Sequence, residues 1–298
     1  MPERPAVALV TCRDLPDLDA DEQLLLAPLA GAGVQVTVAV WDDPEVDWAR
    51  FDLVVIRSTW DYIVRREAFV AWARSVDRLA NPAEVIAWNT DKRYLRGLAA
   101  AGIPVVETAW LEPGDEVDLP ATGDVVLKPA VSAGSLDTGR YDLGRDDHHA
   151  LAVAHAERLL DAGRTVMVQP YLAAVDIDGE RSLLFVSGAY SHSITKSAML
   201  AGPHQATDGL FHAETITPRS ATEEEIALAV RTLAAVPGGA DRLLYARVDL
   251  LDDADGAARV LEVELTEPSM FLGQAPGSAE RFAAAIAAIA LAQRRVRS

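Results

Sequence analysis

Hydrophobic and polar positions alternate in a regular way over the first third of the chain. Strands are predicted at VALVT, VQVTVAVW and FDLVVIRS, and helical spacing is found in DADEQLLLAPLAGAG and REAFVAWARSVDRLA. Strands that alternate with helices indicate an α/β layer with a mainly parallel sheet, in which ligands bind beyond the carboxyl ends of the strands. We therefore predict an N-terminal α/β domain on the substrate side over residues 1–88.

The pattern changes to an α+β arrangement after Trp88. A helix capped by Asn89 or Thr90 is followed by strands at VVETAWL, DVVLKPAV and TVMVQPYL, a hairpin in RSLLFVSGAYSHSITK, and a C-terminal helix. We predict a central subdomain over 89–170 and a C-terminal subdomain over 171–298. The span 199–218 is expected to be a long irregular loop, either a binding loop or a surface excursion.

Two of the C-terminal strands carry alternating acidic residues. In VLEVEL, Glu262 and Glu264 share one face, and Asp255-Gly256 predicts a two-residue turn that places Asp249 opposite Glu262 and Arg247 opposite Glu264. Leu261 should then point to the other face. Carboxylate oxygens at this density suit Mg²⁺ or Mn²⁺. The alternative is a solvated acidic face.

Composition limits the partners that this site can have. The 298-residue chain has a formal charge of -18 and a pI near 4.7, which argues against nucleic acid or an anionic membrane as the main partner. The single Cys12 permits no internal disulfide, and neither a signal sequence nor a long apolar stretch is found, so a cytoplasmic location is expected. An anionic ligand would have to be met by local cations or by metal.

Candidate phosphate contacts lie upstream. Lys128 ends an apolar strand directly before the small residues SAGS, and Lys92 is expected in the first turn of its helix. Pro170 interrupts a strand, which would leave neighbouring backbone groups free to bond an adenine edge. The alternatives are a surface lysine and a plain domain linker.

The order of these segments resembles the ATP-grasp ligase superfamily, of the glutathione synthetase and D-alanine ligase kind. The resemblance runs from residue 88 to 273 through NTDKRYLRGLAAAGIPV, VVLKPAVSAGS, VMVQPYL, DGERSLLF, ARVDLL and VLEVEL. It implies an ATP-grasp fold in which two α+β subdomains clasp ATP. RSTWDY, GERSLLF, YSHSITK and ELTEPSMFL are similar to a subgroup of short ligases that includes the D-cycloserine synthetases.

The resemblance also implies a role for each matched residue. Lys92 and Lys128 would hold the nucleotide phosphates, and Ser132 and Ser135 belong to a loop that would close over them. Glu180 would bond the ribose. The hinge whose backbone reads adenine corresponds to Gln169, Pro170, Tyr171 and Leu172.

The remaining matched residues lie at the reacting end of the nucleotide. Arg247 would stabilise the reacting oxygens, and Lys196 would meet the terminal phosphate or the substrate carboxylate. Two Mg²⁺ ions, with Mn²⁺ as a substitute, would be held by Asp249, Glu262 and Glu264. Glu264 departs from the superfamily, which usually has asparagine there.

The implied activity is a Mg-dependent ligase that activates a carboxylate as an acyl phosphate for attack by nitrogen. For the D-cycloserine subgroup, the substrate would be O-ureido-D-serine, which closes a ring on itself. Two alternatives are an intermolecular amino-acid or amide ligase and a non-catalytic nucleotide-binding protein. The second is disfavoured by the joint presence of four matched residues: Lys128, Arg247, Asp249 and Glu262.

The N-terminal loops are expected to contact the amino-acid substrate, with an acid for its ammonium group and Arg57 for its carboxylate. The candidates are Asp14, Asp17, Arg57, Ser58, Trp60 and Asp61. The alternative is ordinary loop chemistry. A homodimer is the default expectation for a symmetric enzyme.

Overall fold

The N-terminal sheet is parallel, as the alternating pattern predicts. The structure, a computed structural model, describes residues 4–204 and 215–297. Its first sheet has the order β2-β1-β3-β4, and β1 and β3 are buried along almost their whole length because helices cover the sheet. The strands are β1 (Ala6–Thr11), β2 (Gln35–Val40), β3 (Leu53–Ser58) and β4 (Leu79–Ala80), and the helices are α1 (Leu26–Gly31), α2 (Arg66–Ser75) and α3 (Ala83–Asn89).

The second sheet is antiparallel, with the order β5-β8-β6-β7. Its strands are β5 (Ala109–Leu111), β6 (Asp124–Pro129), β7 (Gly139–Asp142) and β8 (Val166–Pro170), and its region includes α4 (Tyr94–Ala100) and α5 (Asp146–Asp161). Two expectations need correction. The strand predicted at VVETAWL forms only at 109–111, and α4 begins at Tyr94, so Lys92 lies in the turn before the helix rather than in its first turn.

The third sheet is antiparallel and has the order β11-β10-β9-β12-β13. Its strands are β9 (Glu180–Val186), β10 (Ala189–Lys196), β11 (Ile216–Arg219), β12 (Tyr245–Asp252) and β13 (Ala258–Glu264), and α6 (Val175–Asp178), α7 (Glu223–Ala234) and α8 (Ser278–Arg297) complete the chain. The predicted loop 199–218 is therefore wrong at its end, where β11 pairs with β10. Residues 205–214 of that loop lie outside the described residues.

The β12–β13 hairpin keeps the predicted register at its acidic end but reaches it differently. Asp249 faces Glu262 and Arg247 faces Glu264, as predicted. The turn is one residue longer than the predicted two, because Asp253 N–H bonds the Ala257 carbonyl 3.0 Å away. A bulge between Asp249 and Leu250 compensates for the extra residue of the turn. The prediction that Leu261 points away from Glu262 is wrong, because at this bulge both side chains line one cavity, which is described below.

The open edge of β13 is closed by side chains from the α3–α4 region. Asn89 donates to the Val263 carbonyl at 2.7 Å and accepts from Leu265 N–H at 2.7 Å. The Tyr94 hydroxyl both donates to the Val263 carbonyl and accepts from its N–H, at 2.9 and 2.8 Å. An edge strand that carries the acidic face is thereby fixed by buried hydrogen bonds.

Each sheet falls within one of the predicted segments 1–88, 89–170 and 171–298. However, Phe282 and Ile286 of α8 share one hydrophobic cluster with Val7 and Leu9 of β1. The division into three domains stays a prediction, and we propose it with α8 assigned to the N-terminal core.

We predict that Asn89→Ala lowers the free energy of unfolding by about 2–4 kcal/mol, because the substitution leaves buried backbone groups of β13 without partners. Urea denaturation followed by tryptophan fluorescence measures the change. Glu84→Ala on the same helix, whose ion pair with Arg242 is exposed, is the control and should cost under about 1 kcal/mol. Equal costs for the two variants would contradict the role of Asn89.

Candidate active site

A cavity of about 470 Å³ lies where the three sheets meet. Among the described residues, its wall contains most of the side chains that the sequence predicted: Trp60, Lys92, Lys128, Ser132, Ser135, Gln169, Pro170, Tyr171, Leu172, Glu180, Lys196, Arg247, Asp249, Glu262 and Glu264. The acidic hairpin face is therefore directed into a cavity and is not a solvated surface.

Glu262 lies at the centre of the charged wall. Its carboxylate is 2.6 Å from Lys128 Nζ and 3.7 Å from Lys92 Nζ. Burial raises the pKa of Glu262, but the two ammonium groups outweigh burial and lower that pKa to about 2. Glu262 is consequently a charged carboxylate at every physiological pH.

Arg247 links the other two acids of the hairpin. Its Nε lies 3.0 Å from Asp249 Oδ1, and its Nη2 contacts Glu264. Ser182 also donates to Asp249, at 2.6 Å. Burial raises the pKa of Asp249, yet Arg247 and Lys196 hold it below its ordinary value. Burial raises the pKa of Glu264 above its ordinary value, against the attraction of Arg247.

Lys196 and Glu180 form a further pair in the same wall. Lys196 Nζ contacts Glu180 and lies 3.8 Å from Asp249 Oδ2. Burial raises the pKa of Glu180, and Lys196 opposes this rise. These eight residues form a charged edge of the cavity, in which four carboxylates (Glu180, Asp249, Glu262 and Glu264) lie next to four cations (Lys92, Lys128, Lys196 and Arg247).

The small-residue loop after β6 is held next to Lys92. The Lys92 ammonium donates to the Ser132 carbonyl at 2.6 Å, and Lys92 N–H donates to the Ala130 carbonyl at 2.8 Å. Gly134 and Ser135 have positive φ angles of 58°, which permits a tight path along the cavity. The backbone of this loop therefore lies close to two lysines, an arrangement suited to anions.

The hinge after β8 forms another part of the wall. Pro170 ends the strand as predicted, but the expectation of free neighbouring groups needs correction, because Tyr171 N–H donates to the Asp124 carbonyl at 2.8 Å. Leu251 and Leu261 line the same cavity. These two side chains provide the apolar surface that a flat ring system needs.

Most of the N-terminal candidates lie elsewhere. Asp14 and Asp17 are exposed outside the cavity wall, and Asp61 bonds Trp41 Nε1 at 2.9 Å and contacts Arg65. The Ser58 hydroxyl accepts from Asp19 N–H at 3.0 Å. The assignment of Asp14, Asp17, Ser58 and Asp61 as substrate contacts is therefore corrected. Of the six N-terminal candidates, Trp60 alone is among the described residues of the cavity wall.

Arg57 needs a separate correction. It is completely buried, donates to Glu22 at 2.8 Å through Nε, and also contacts the Pro268 carbonyl. Its Nε and Nη2 are therefore bound by the protein, and Arg57 is not among the described residues that line the cavity. Instead, Arg57 positions the segment that follows β13, since a buried charge must be paired.

The sequence interpretation missed several acids and hydroxyl groups of the wall: Asp19, Asp21, Tyr62, Glu267 and Ser269. Glu267 is buried, its Oε2 has no hydrogen-bond partner within the described part of the chain, and Trp60 Nε1 donates to its carbonyl at 3.2 Å. Burial, together with the nearby Glu264, raises the pKa of Glu267 from 4.5 to about 8. Glu267 lies in the segment ELTEP. The strand alternation that indicated Glu262 and Glu264 ends at Glu264, so it does not extend to Glu267.

Comparisons with known proteins show which chains this one is similar to. Residues 7–81 match the family model of the D-cycloserine synthetase DcsG N-terminal domain. The chain is 38% identical over 299 residues to the cycloserine biosynthesis protein DcsG of Streptomyces lavendulae, covering 94% of this chain and 97% of that protein. A crystal structure of D-cycloserine synthetase DcsG has a TM-score of 0.84 at 36% identity, covering 96% of this chain and 99% of that one.

More distant structures share the fold. D-alanine–D-alanine ligase from Bacillus anthracis has a TM-score of 0.64 at 15% identity and covers 99% of this chain and 100% of its own. The protein is thus an ATP-dependent ligase with the ATP-grasp fold. Within that superfamily, the chain belongs to the D-cycloserine synthetase DcsG family. None of the described helices is long and apolar enough to cross a membrane.

The raised pKa of Glu267 predicts how stability changes with pH. In the folded protein, Glu267 keeps its proton up to about pH 8, whereas in the unfolded chain it loses it near pH 4.5, so stability falls between these values. Glu267→Gln removes this loss. Its free energy of unfolding should match that of the parent near pH 4.5 and exceed it by a few kcal/mol at pH 8.

Urea denaturation between pH 4.5 and 8.5, without nucleotide or metal, measures this difference. Glu280→Gln, at an exposed position of α8, is the control and should show no such trend. A difference between Glu267→Gln and the parent that does not change with pH would show that Glu267 is ionised in the folded protein.

Proposed function

We propose that the chain is a D-cycloserine synthetase that transfers the γ-phosphoryl group of ATP to the carboxylate of O-ureido-D-serine. The substrate's own nitrogen then attacks the acyl carbon and phosphate leaves as the ring closes, while hydrolysis removes the carbamoyl group from that nitrogen. The observation that carries the proposal is the 38% identity to DcsG over nearly the whole of both proteins. The charged cavity supports it, because activating a carboxylate with a phosphoryl group brings two anions together and requires cations around them.

Lys92 and Lys128 are proposed to hold the phosphates of ATP, with the backbone of the loop that contains Ser132 and Ser135 covering them. Both ammonium groups already contact a carboxylate in the cavity, so they are directed toward its centre. At the far end, the adenine would lie between Leu251 and Leu261, beside the hinge of Gln169, Pro170, Tyr171 and Leu172. Glu180 is the proposed ribose contact.

Asp249, Glu262 and Glu264 are proposed to hold Mg²⁺, for which a set of carboxylate oxygens is suitable. Two ions are expected, and Mn²⁺ is expected to substitute. When bound, Mg²⁺ would screen the phosphate charges. Glu264 stands where the superfamily usually has asparagine, and its additional charge is compensated by Arg247, which it contacts directly.

Arg247 is proposed to stabilise the oxyanion that develops at the substrate carboxyl carbon. Its two acidic partners fix its orientation, and removal of one such donor typically costs about 3–4 kcal/mol of transition-state stabilisation. Lys196 is proposed to meet the terminal phosphate or the substrate carboxylate. The substrate ammonium group would face Asp19 and Asp21, two acids that also line the cavity.

The decisive experiment incubates the purified protein with Mg·ATP and O-ureido-D-serine alone, and follows ADP release and the cyclic product by mass spectrometry. We expect one ADP for each ring formed, with no second amino acid required. Arg247→Met, which keeps a long side chain without the guanidinium, should lose about 100-fold or more in kcat.

ADP release that requires two different substrates would identify an intermolecular amino-acid or amide ligase instead. Nucleotide binding without ADP release under either condition would indicate a non-catalytic nucleotide-binding protein. A homodimer and a cytoplasmic location remain part of the proposal. Light scattering on a sizing column measures the oligomeric state.

A further inference from the structure

A second group of metal-ligating side chains lies outside the charged cavity edge. It contains Asp137 of the loop after β6, His155 of α5 and His204, and one ligand atom from each residue lies within 4.8 Å of the others. His204 Nε2 is 3.7 Å from Asp137 Oδ1, and the two imidazole rings are 4.9 Å apart between centroids. The mechanism proposed above uses none of these three residues.

His155 is the strongest indication that the group has a ligand. Its side chain is only 5% exposed, and Nε2 is buried without a hydrogen-bond partner among the residues that the structure describes. Leaving such an atom unpaired in the interior is costly, so a buried unpaired nitrogen calls for a physical reason. Burial lowers the pKa of His155 to about 4, so the ring is neutral at physiological pH and offers a lone pair.

The surroundings of His155 also fit a metal ligand. Its Nδ1 lies 2.8 Å from the Tyr141 hydroxyl, and in the tautomer that carries the proton on Nδ1 this hydrogen bond leaves the Nε2 lone pair for an ion. Histidines that bind metals commonly donate their other ring N–H in this way. The Tyr141 hydroxyl also accepts a hydrogen bond from the backbone N–H of His204 at 3.2 Å, so it contacts both segments that carry the histidines.

We propose that Asp137, His155 and His204 form a binding site for a divalent transition-metal ion of the Zn²⁺ type. Two imidazoles and one carboxylate are a common ligand set for Zn²⁺, which leaves a further position for water, whereas Mg²⁺ prefers oxygen ligands throughout. The site is distinct from the Mg²⁺ site proposed on Glu262 and does not depend on the proposed activity.

Two arginines limit the affinity of this site. Asp137 Oδ1 accepts from Arg158 at 2.8 Å, and Asp137 Oδ2 contacts Arg164. Both guanidinium groups hold the pKa of Asp137 below its ordinary value against the effect of burial, so the carboxylate is charged. They also repel a cation. Arg158 is half exposed and can turn into solvent when an ion binds.

The site would connect parts of the chain that border the nucleotide cavity. Asp137 lies in the same loop as Ser132 and Ser135, which line that cavity, and His204 follows Met199 and Leu200, which also line it. The Gly202 carbonyl accepts from Arg140 N–H at 2.9 Å, so the second segment is already attached to β7. A bound ion would therefore fasten the two borders of the cavity to α5.

The test is calorimetric titration of the full chain, after metal removal and without any histidine tag, with ZnCl₂ in excess Mg²⁺ and without nucleotide. We expect one Zn²⁺ per chain. His204→Asn and Asp137→Asn each remove a direct ligand and should weaken Zn²⁺ binding by at least the roughly 10- to 100-fold that is typical when a group supporting a ligand is lost. His204 is partly exposed, so its variant is expected to fold.

His149→Asn, at another histidine of α5, is the matched control and should bind Zn²⁺ like the parent. Glu262→Gln should also bind Zn²⁺ normally, which separates this site from the proposed Mg²⁺ site. Absence of Zn²⁺ binding by the parent would overturn the proposal. Binding that is unchanged in both His204→Asn and Asp137→Asn, or that is lost in His149→Asn, would overturn it too.

Discussion

The structure depends on the neutralisation of buried and partly buried carboxylates by neighbouring cations. Glu262 meets Lys92 and Lys128 from the central region, while Asp249 and Glu264 share Arg247 within their own hairpin. An unpaired charge in this environment would cost several kcal/mol, so the central and C-terminal regions must come together for Glu262 to be neutralised. The same requirement creates a cavity with oppositely charged groups close together, which a metal–nucleotide complex also needs.

Backbone details keep these charges in register. A turn one residue longer than expected would by itself move the acids of β13 to the opposite face, and the bulge beside Asp249 corrects the shift before Glu262 is reached. Asn89 and Tyr94 then hold the outer edge of the strand. Arg57, anchored on Glu22, fixes the following segment at Pro268. The N-terminal region therefore positions this segment in addition to lining part of the cavity.

The sequence was sufficient where a pattern or a motif fixes a side chain. Alternation placed Glu262 and Glu264 on one face, and the order of segments related Lys92, Lys128 and Arg247 to a known superfamily. The sequence was insufficient where the conformation of a loop determines which side chains reach the cavity. Asp14 and Asp19 lie in the same loop with the same chemistry, yet the cavity wall includes Asp19 alone of the two. Arg57 was misassigned because Glu22, with which it forms a buried ion pair, is far away in sequence. The bulge beside Asp249 could not be predicted because no short sequence motif indicates it.

The most direct test of this account is a double-mutant cycle on Lys128 and Glu262, measured as the free energy of unfolding at pH 7 without nucleotide or metal. If buried charge compensation holds the sheets together, Lys128→Met and Glu262→Gln should each destabilise the protein, and the double variant should be more stable than the sum of the two losses by about 1–3 kcal/mol. Strictly additive losses would contradict the account, because they would mean that the two groups do not depend on each other.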